Sequence, residues 1–574
     1  MRRDKAYGMT EFLLPTTLEN VELVLYDKKD LTEVKSVMME QISGENLVSA
    51  CLPRKEAKKY AYHYRSGELV FPEEKAEMYI KDGDFGKSGQ APCRLATVAE
   101  QEFDWGESAR PELSYEDMIV YLAHVRGFTM HNSSKVRGKG TFYGMMQKIP
   151  YLKELGITTV ELQPIYEYEE LDTKGKVNYW GYQKGYYYAP RASYSYKSDA
   201  VREFKALVKA FHEQGMEVVL QFYFPAEVSR LEIADILKYW SLNYQVDGFH
   251  LMGENIPVQE LAGDVYLSRR KLWYYDFPVD VLYPGKEKPL KRVLASYQDS
   301  YMYDMRRLLK GDEGCIYNAV KRMTCNPAKM GVVNFLTNYF GLTMWDAVCY
   351  ERKHNEENGE KNRDGNDYNG TWNCGAEGAT KKKQILSLRR KQYKNAFALL
   401  MFSQGTPLFF MGDEFCNSQK GNNNPYCQDN EITWLNWNDI NRNKELHQYV
   451  KDLIAFRKQT SVFHMKKECM LMDYLSCGYP DLSFHGEEAF KPSWEYFSRQ
   501  AGLLYCGDYA GEKGTLVYLA INMHWEEQIF ACPKLKKGKE IICVFTTDEE
   551  CKVEKEQLVL PPRSICVCTI KRTR

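Results

Sequence analysis

The sequence predicts an α/β protein, a (β/α)8 TIM barrel preceded and followed by regions built from strands. Three observations carry this. From about Ile119, short apolar runs alternate with amphipathic stretches, the pattern of βα units feeding a parallel sheet. Before about Glu100 the chain reads as short strands broken by turns, and after about Thr460 it reads as strands again. At 574 residues it is also too long for one hydrophobic core, and three domains are expected, over 1–100, 101–460 and 461–574.

Taken in order, Val21–Tyr26 alternates as a half-buried strand, and Tyr60–Tyr64 faces Glu68–Phe71 across Ser66-Gly67, a hairpin signal. A strand is predicted at Ile119-Val120-Tyr121, then helical spacing at Met145, Ile149, Leu152 and Leu155, then a strand at Thr159–Leu162. Val201, Phe204, Leu207, Val208 and Phe211 mark one face of a helix, and Gly215 suits its C-terminal cap. Strands follow at Glu217–Leu220, Val246–Met252, Lys271–Tyr275, Val332–Leu336 and Pro407–Met411. In such a barrel, functional groups sit at the carboxyl ends of the strands. The polar stretch Glu351–Thr380 reads as a loop with its own shape, and Leu516–Ile521, Ile541–Phe545 and Ile565–Ile570 as C-terminal strands.

Lys+Arg 77 against Asp+Glu 78 leave a net charge of −1, so neither nucleic acid nor an acidic membrane is expected as a partner. No run of eighteen apolar residues predicts a membrane span, and Arg2-Arg3 with no apolar segment behind them predicts no secretory leader. A cytoplasmic location is therefore the expectation. The 16 cysteines are scattered without a Cys-x-x-Cys pair, which predicts reduced, mostly buried thiols, no metal and no cofactor. Cys566 and Cys568, two apart in a strand, would share one face.

Several strings are far more specific. These are His124–Thr129, Asn178-Tyr179-Trp180-Gly181-Tyr182, Lys353–Glu360 with Trp372-Asn373-Cys374-Gly375, Ser403–Pro407 with Gly412–Phe415, and Asn422–Asn424 with Trp434–Trp437. Over about Val120–Asn438 the chain thereby resembles the isoamylase-type, glycogen- and starch-debranching branch of the alpha-amylase superfamily. The resemblance implies a shortened N-terminal β-sandwich, the barrel, a C-terminal β-sandwich, and an α-glucan as ligand.

Retaining glycoside hydrolysis needs two carboxyls about 5–5.5 Å apart, a nucleophile and an acid/base. The family's third strand ends Asp-x-x-x-Asn-His, where this chain has Gln221–Ala226. Its fourth ends Gly-Phe-Arg-Phe-Asp, the Asp being the nucleophile, where this chain reads Gly248-Phe249-His250-Leu251-Met252. Its fifth ends on the acid/base Glu, here Tyr275, and its seventh carries His-Asp, here Tyr339-Phe340. A thioether cannot form a glycosyl ester, and losing the nucleophile alone costs roughly 10⁴-fold or more. No catalytic residue is expected at the family positions; Asp276 and Glu254 are the alternatives should activity have moved. The aromatic residues Tyr179, Trp180 and Tyr182 are the expected sugar-binding surface. The leading expectation is a catalytically inactive protein of α-glucan metabolism that binds glucan or regulates a partner enzyme. The rivals are an active debranching hydrolase with relocated carboxylates, and an interaction protein whose cleft is plugged by Met252, Tyr275, Tyr339 and Phe340. The short link Glu227–Gln245, enough for one helix, implies an open face beside the fourth strand.

Overall fold

A computed structural model describes residues 2–5, 8–99, 102–533, 539–554 and 557–572. At its centre eight parallel strands close into a barrel in sequence order. They are β1 (Val120–Ala123), β2 (Thr159–Leu162), β3 (Glu217–Phe224), β4 (Gly248–Gly253), β5 (Lys271–Tyr274), β6 (Leu294–Tyr297), β7 (Gly331–Phe335) and β8 (Thr406–Phe410). Pairing of β8 with β1, Val120 opposite Leu408, closes the ring. The strands are buried on both faces, as a sheet covered by helices must be.

Seven of these strands coincide with the runs read from the sequence, and β6 does not. It holds only four residues, Leu294-Ala295-Ser296-Tyr297, too few to show a period. β3 runs four residues beyond the expected Leu220, because Gln221–Phe224 keep pairing with His250–Gly253 of β4.

The helix Ala200–Glu213 buries Val201, Phe204, Leu207, Val208 and Phe211 as the spacing requires. Asp199 caps its start by accepting from the Arg202 N–H at 2.9 Å. It ends in a Schellman turn, with Gly215 at φ +70° and the Met216 N–H on the Phe211 carbonyl at 3.0 Å. The link after β3 is indeed a single helix, Arg230–Asn243.

Two antiparallel sheets precede the barrel, one built on Met9–Pro15 paired with Leu47–Pro53, the other on Val21–Tyr26 paired with Ala61–Ser66. Their facing side chains, among them Phe12, Leu23, Leu25, Leu52, Tyr62 and Tyr64, form one core. The expected hairpin is present, with Ser66 opposite Leu69 and Gly67 at φ +59°. After the barrel come a five-stranded and a three-stranded sheet. The flanking sheets after the barrel share its main core: Phe545 packs on Phe402 at 5.0 Å, and Arg563 donates to the Leu309 carbonyl at 3.1 Å.

The polar loop after β7 satisfies itself. Asn355, Asn358, Asn422 and Asn423 are buried together. Asn355 Nδ2 donates to Asn423 Oδ1 at 2.9 Å, and Asn358 Nδ2 donates to Asp364 Oδ2 at 2.8 Å. Its amides are thus engaged within the scaffold.

Two features set stability. Arg457, on the helix Lys444–Gln459, donates to the carbonyls of Met401, Ser403 and Gly405 at 2.6–2.7 Å and fixes the turn that feeds β8. Past β8, burial pushes the carboxyls of Asp413 and Glu414 up to about 7, against hydrogen bonds from Thr337 and from Tyr151 respectively. Arg457→Met strands three buried carbonyls and is expected to cost at least about 3 kcal/mol, read as a large fall in Tm. An acid whose folded pKa is raised holds its proton longer when folded. Its contribution therefore falls as pH rises from about 4, the unfolded value, towards 7, and stays low above that. Tm should thus decline over this window, and Glu414→Gln should flatten the decline and raise Tm at pH 8; an unchanged pH profile in that variant would contradict this.

Candidate active site

Alternation along a strand sends every second side chain into the barrel. On β3 it turns Phe222 outward against Trp240 at 5.6 Å and Gln221 inward. On β4 it turns Phe249 outward against Phe222 at 5.9 Å and His250 inward. Both inward groups meet Glu161 of β2, which is fully buried. Glu161 Oε1 accepts from Gln221 Nε2 at 2.7 Å and lies 2.6 Å from His250 Nδ1. The polar chain continues outward: Tyr182 donates to Gln221 Oε1 at 2.5 Å and accepts from Gln163 Nε2 at 3.2 Å. The His250 ring lies flat on Tyr297 of β6, centroids 4.0 Å apart, and Tyr297 packs on Phe335 of β7 at 4.7 Å. Hydrogen bonds and ring contacts thus occupy the space below the strand ends.

Above this floor lies an aromatic cluster. Tyr339 donates to the Met252 sulfur at 3.4 Å. Its ring packs against Tyr182 at 4.7 Å and edge-on against Trp180 at 5.3 Å, while Phe340 meets Trp180 at 6.4 Å. At the end of β4, Gly253, at φ +107°, runs so close to β3 that a Cβ would lie 2.0 Å from the Phe224 carbonyl oxygen. Trp180 is 7% exposed. Burial raises the phenols of Tyr182 and Tyr339 far above their usual range, so both stay neutral and neither supplies a phenolate nucleophile.

The structure corrects two expectations about individual residues, Tyr179 and Tyr275, and places the two alternative acids. Tyr179 does not face a sugar: it is 1% exposed, and its ring stacks on His124 at 4.0 Å. Burial pushes that imidazole down to about 3, so a neutral ring is sandwiched there. Tyr275 does not help to plug the cleft, because it is 67% exposed. β5 ends at Tyr274, and the next residue swings out of the barrel. Asp276 and Glu254 are exposed loop acids rather than a cleft pair. Asp276 accepts the N–H of its neighbour Phe277 at 3.0 Å, and the Glu254 N–H extends the β3–β4 ladder onto the Phe224 carbonyl at 2.9 Å.

One carboxylate escaped the sequence reading. Asp299 follows β6 at the head of the helix Ser300–Lys310. Displacement of water by its surroundings raises its carboxyl above the usual range, opposed by Arg306 and by His250. The signal was present in Tyr297-Gln298-Asp299-Ser300, a short strand followed by a capping residue, but it depends on seeing β6.

The arrangement offers a thioether, a buried imidazole held on the buried Glu161 carboxyl, neutral phenols and the Asp299 carboxyl at the rim. At the positions that the resemblance aligns with the nucleophile and the acid/base, this chain has Met252 and Tyr275. Double displacement requires both.

Residues 126–225 match the family described as the alpha amylase catalytic domain. The chain is 27% identical to the chloroplastic isoamylase SU1 of Zea mays, over 88% of this chain and 75% of that one. It is 31% identical to a glycogen operon protein GlgX homolog of Mycobacterium tuberculosis, over 65% of this chain and 62% of that one. Among solved structures, a pullulanase from Paenibacillus barengoltzii, a mutant complexed with maltotetraose, superposes with a TM-score of 0.72 at 19% identity, covering 99% of this chain and 94% of that one. The motifs, the barrel and these relatives agree: the chain is similar to the isoamylase-type debranching branch of the alpha-amylase superfamily.

Proposed function

We propose that this protein is a non-hydrolysing member of its family that binds α-glucan. The observation that carries this reading is the pair Met252 and Tyr339. The residue at the nucleophile position is a thioether, and the residue beside it donates a hydrogen bond to that sulfur instead of gripping a sugar. With Trp180 and Tyr182 packed onto the same rings, the reacting sugar's place is taken by side chains.

Glucan binding then needs a surface elsewhere, and the sheets after the barrel offer one. A cleft of about 390 Å³ there is lined by acids, amides and cations, including Glu487, Arg499, Gln500 and His524, together with Phe497. At its margin Trp525 is 55% exposed and Phe497 65% exposed. His524 stacks on Trp525 at 4.2 Å and the Arg499 guanidinium lies over that ring at 4.8 Å, which holds the indole in place. Flat rings beside hydrogen-bonding side chains suit pyranose rings, whose two faces are apolar and whose edges carry hydroxyls. A pullulanase of the same fold complexed with maltotetraose supports the choice of ligand.

Incubated with glycogen or pullulan, the protein should release no reducing ends above a blank. Product that disappears in Asp299→Asn would instead establish a hydrolase with a relocated carboxyl. In gels containing glycogen the protein should be retarded, and Trp525→Ala should weaken that affinity by ~10-fold, a loss of about 1.4 kcal/mol. Absence of retardation in the unmodified protein would overturn glucan binding and leave a protein that acts through other proteins.

A further inference from the structure

We infer that the sheet after the barrel carries a site for a soft, thiophilic cation, zinc(II) foremost, built from Cys543, Cys566 and Cys568. The strand Ser564–Arg572 places Cys566 and Cys568 two residues apart on one face, their sulfurs 3.6 Å from each other. The neighbouring edge strand Lys539–Thr546 supplies the third thiol, with Cys543 paired opposite Cys568. A bulge after Cys543 shifts the register by one residue and tips this side chain over the other two, bringing its sulfur within 3.4 Å of Cys566. All three sulfurs lie within 4.8 Å of one another. Two ligands from one strand and a third from its neighbour leave the fourth direction open, the arrangement of a three-ligand zinc site. In a tetrahedral site with Zn–S bonds of about 2.3 Å, ligand sulfurs stand about 3.8 Å apart, so the observed spacings need only small adjustment.

Buried thiols by themselves pack as small apolar groups. Two further observations separate this trio from such packing. Cys543 is exposed, which gives a cation a path to sulfurs that are otherwise enclosed. A fourth thiol, Cys551, lies against Cys566 and also contacts Thr546 Oγ1 at 3.0 Å. None of the four is in a disulfide. Binding replaces three S–H bonds by three metal–sulfur bonds and releases three protons, with no change of oxidation state. The bound ion would pin the edge strand Lys539–Thr546 to the strand beside it. The three ligands follow no Cys-x-x-Cys spacing because strand pairing, rather than a turn, brings them together.

The test is a zinc titration of the full-length, phosphine-reduced, metal-free protein against a chromophoric chelator, repeated with cobalt(II) to observe thiolate-to-metal charge transfer. The unmodified protein should take up a single equivalent, release protons and gain Tm. Cys543→Ser alters an exposed position and should leave the metal-free fold intact. It should weaken zinc binding by at least the ~10–100-fold that loss of an outer-shell partner costs, and abolish the cobalt band. Cys566→Ala should do the same, and Cys315→Ser should do neither. Failure to bind an equivalent, or a titration in Cys543→Ser that matches the unmodified protein, would overturn the inference; the latter would place the metal elsewhere.

Discussion

One buried carboxylate organises the centre of this molecule. Glu161 is fully buried, and an uncompensated charge or dipole in such a place is costly. Its Oε1 is compensated by Gln221 at 2.7 Å and His250 at 2.6 Å, donors from the two strands that follow β2 around the barrel. Gln221 and His250 stand at family positions for an aspartate and an arginine of the catalytic machinery. Here both side chains bond the protein's own Glu161. The hydrogen bonds that hold Glu161 run through Oε1. The outward chain through Tyr182, and the stacking of His250 on Tyr297, follow from fixing these two side chains.

The aromatic cluster above the clamp makes the same change with apolar chemistry. Each ring is positioned by at least one other. Trp180 meets Tyr182, Tyr339, Phe340 and Tyr426, and Tyr339 reaches the sulfur that stands in place of the nucleophile. Ring pairs of this kind contribute about 0.5–1.5 kcal/mol each beyond burial. Opening the cleft to a sugar would require breaking several of them together. In a hydrolase such a cost is met by contacts to the transition state.

Much of this was legible in the sequence because it depends on local pattern. The long apolar strands, the amphipathic helix Ala200–Glu213 with its glycine cap, and the strings around Asn178 and Asn422 are readable from residue order alone. What escaped depends on tertiary placement. The four residues of β6 are too short to carry a period, and without that strand Asp299 could not be placed at the rim. Tyr179 and Tyr182 sit three apart in one loop, yet one is enclosed against His124 while the other lines the cluster, a distinction set by the packing of β1 and not by the loop's own residues. The resemblance placed Tyr275 at the end of the fifth strand, facing the cleft, but pairing ends at Tyr274 and the next residue turns away. The sulfur cluster was invisible for a related reason: residues 543 and 566 are neighbours only across a sheet.

The most direct test of the central account is a crystal structure of the protein soaked with maltotetraose. The account predicts Trp180, Tyr182 and Tyr339 packed as they are here, the Tyr339 hydroxyl on the Met252 sulfur, and any ordered sugar outside the barrel. A glucose ring seated between Met252 and a displaced Tyr339 would contradict it, and would show that the cleft still receives substrate.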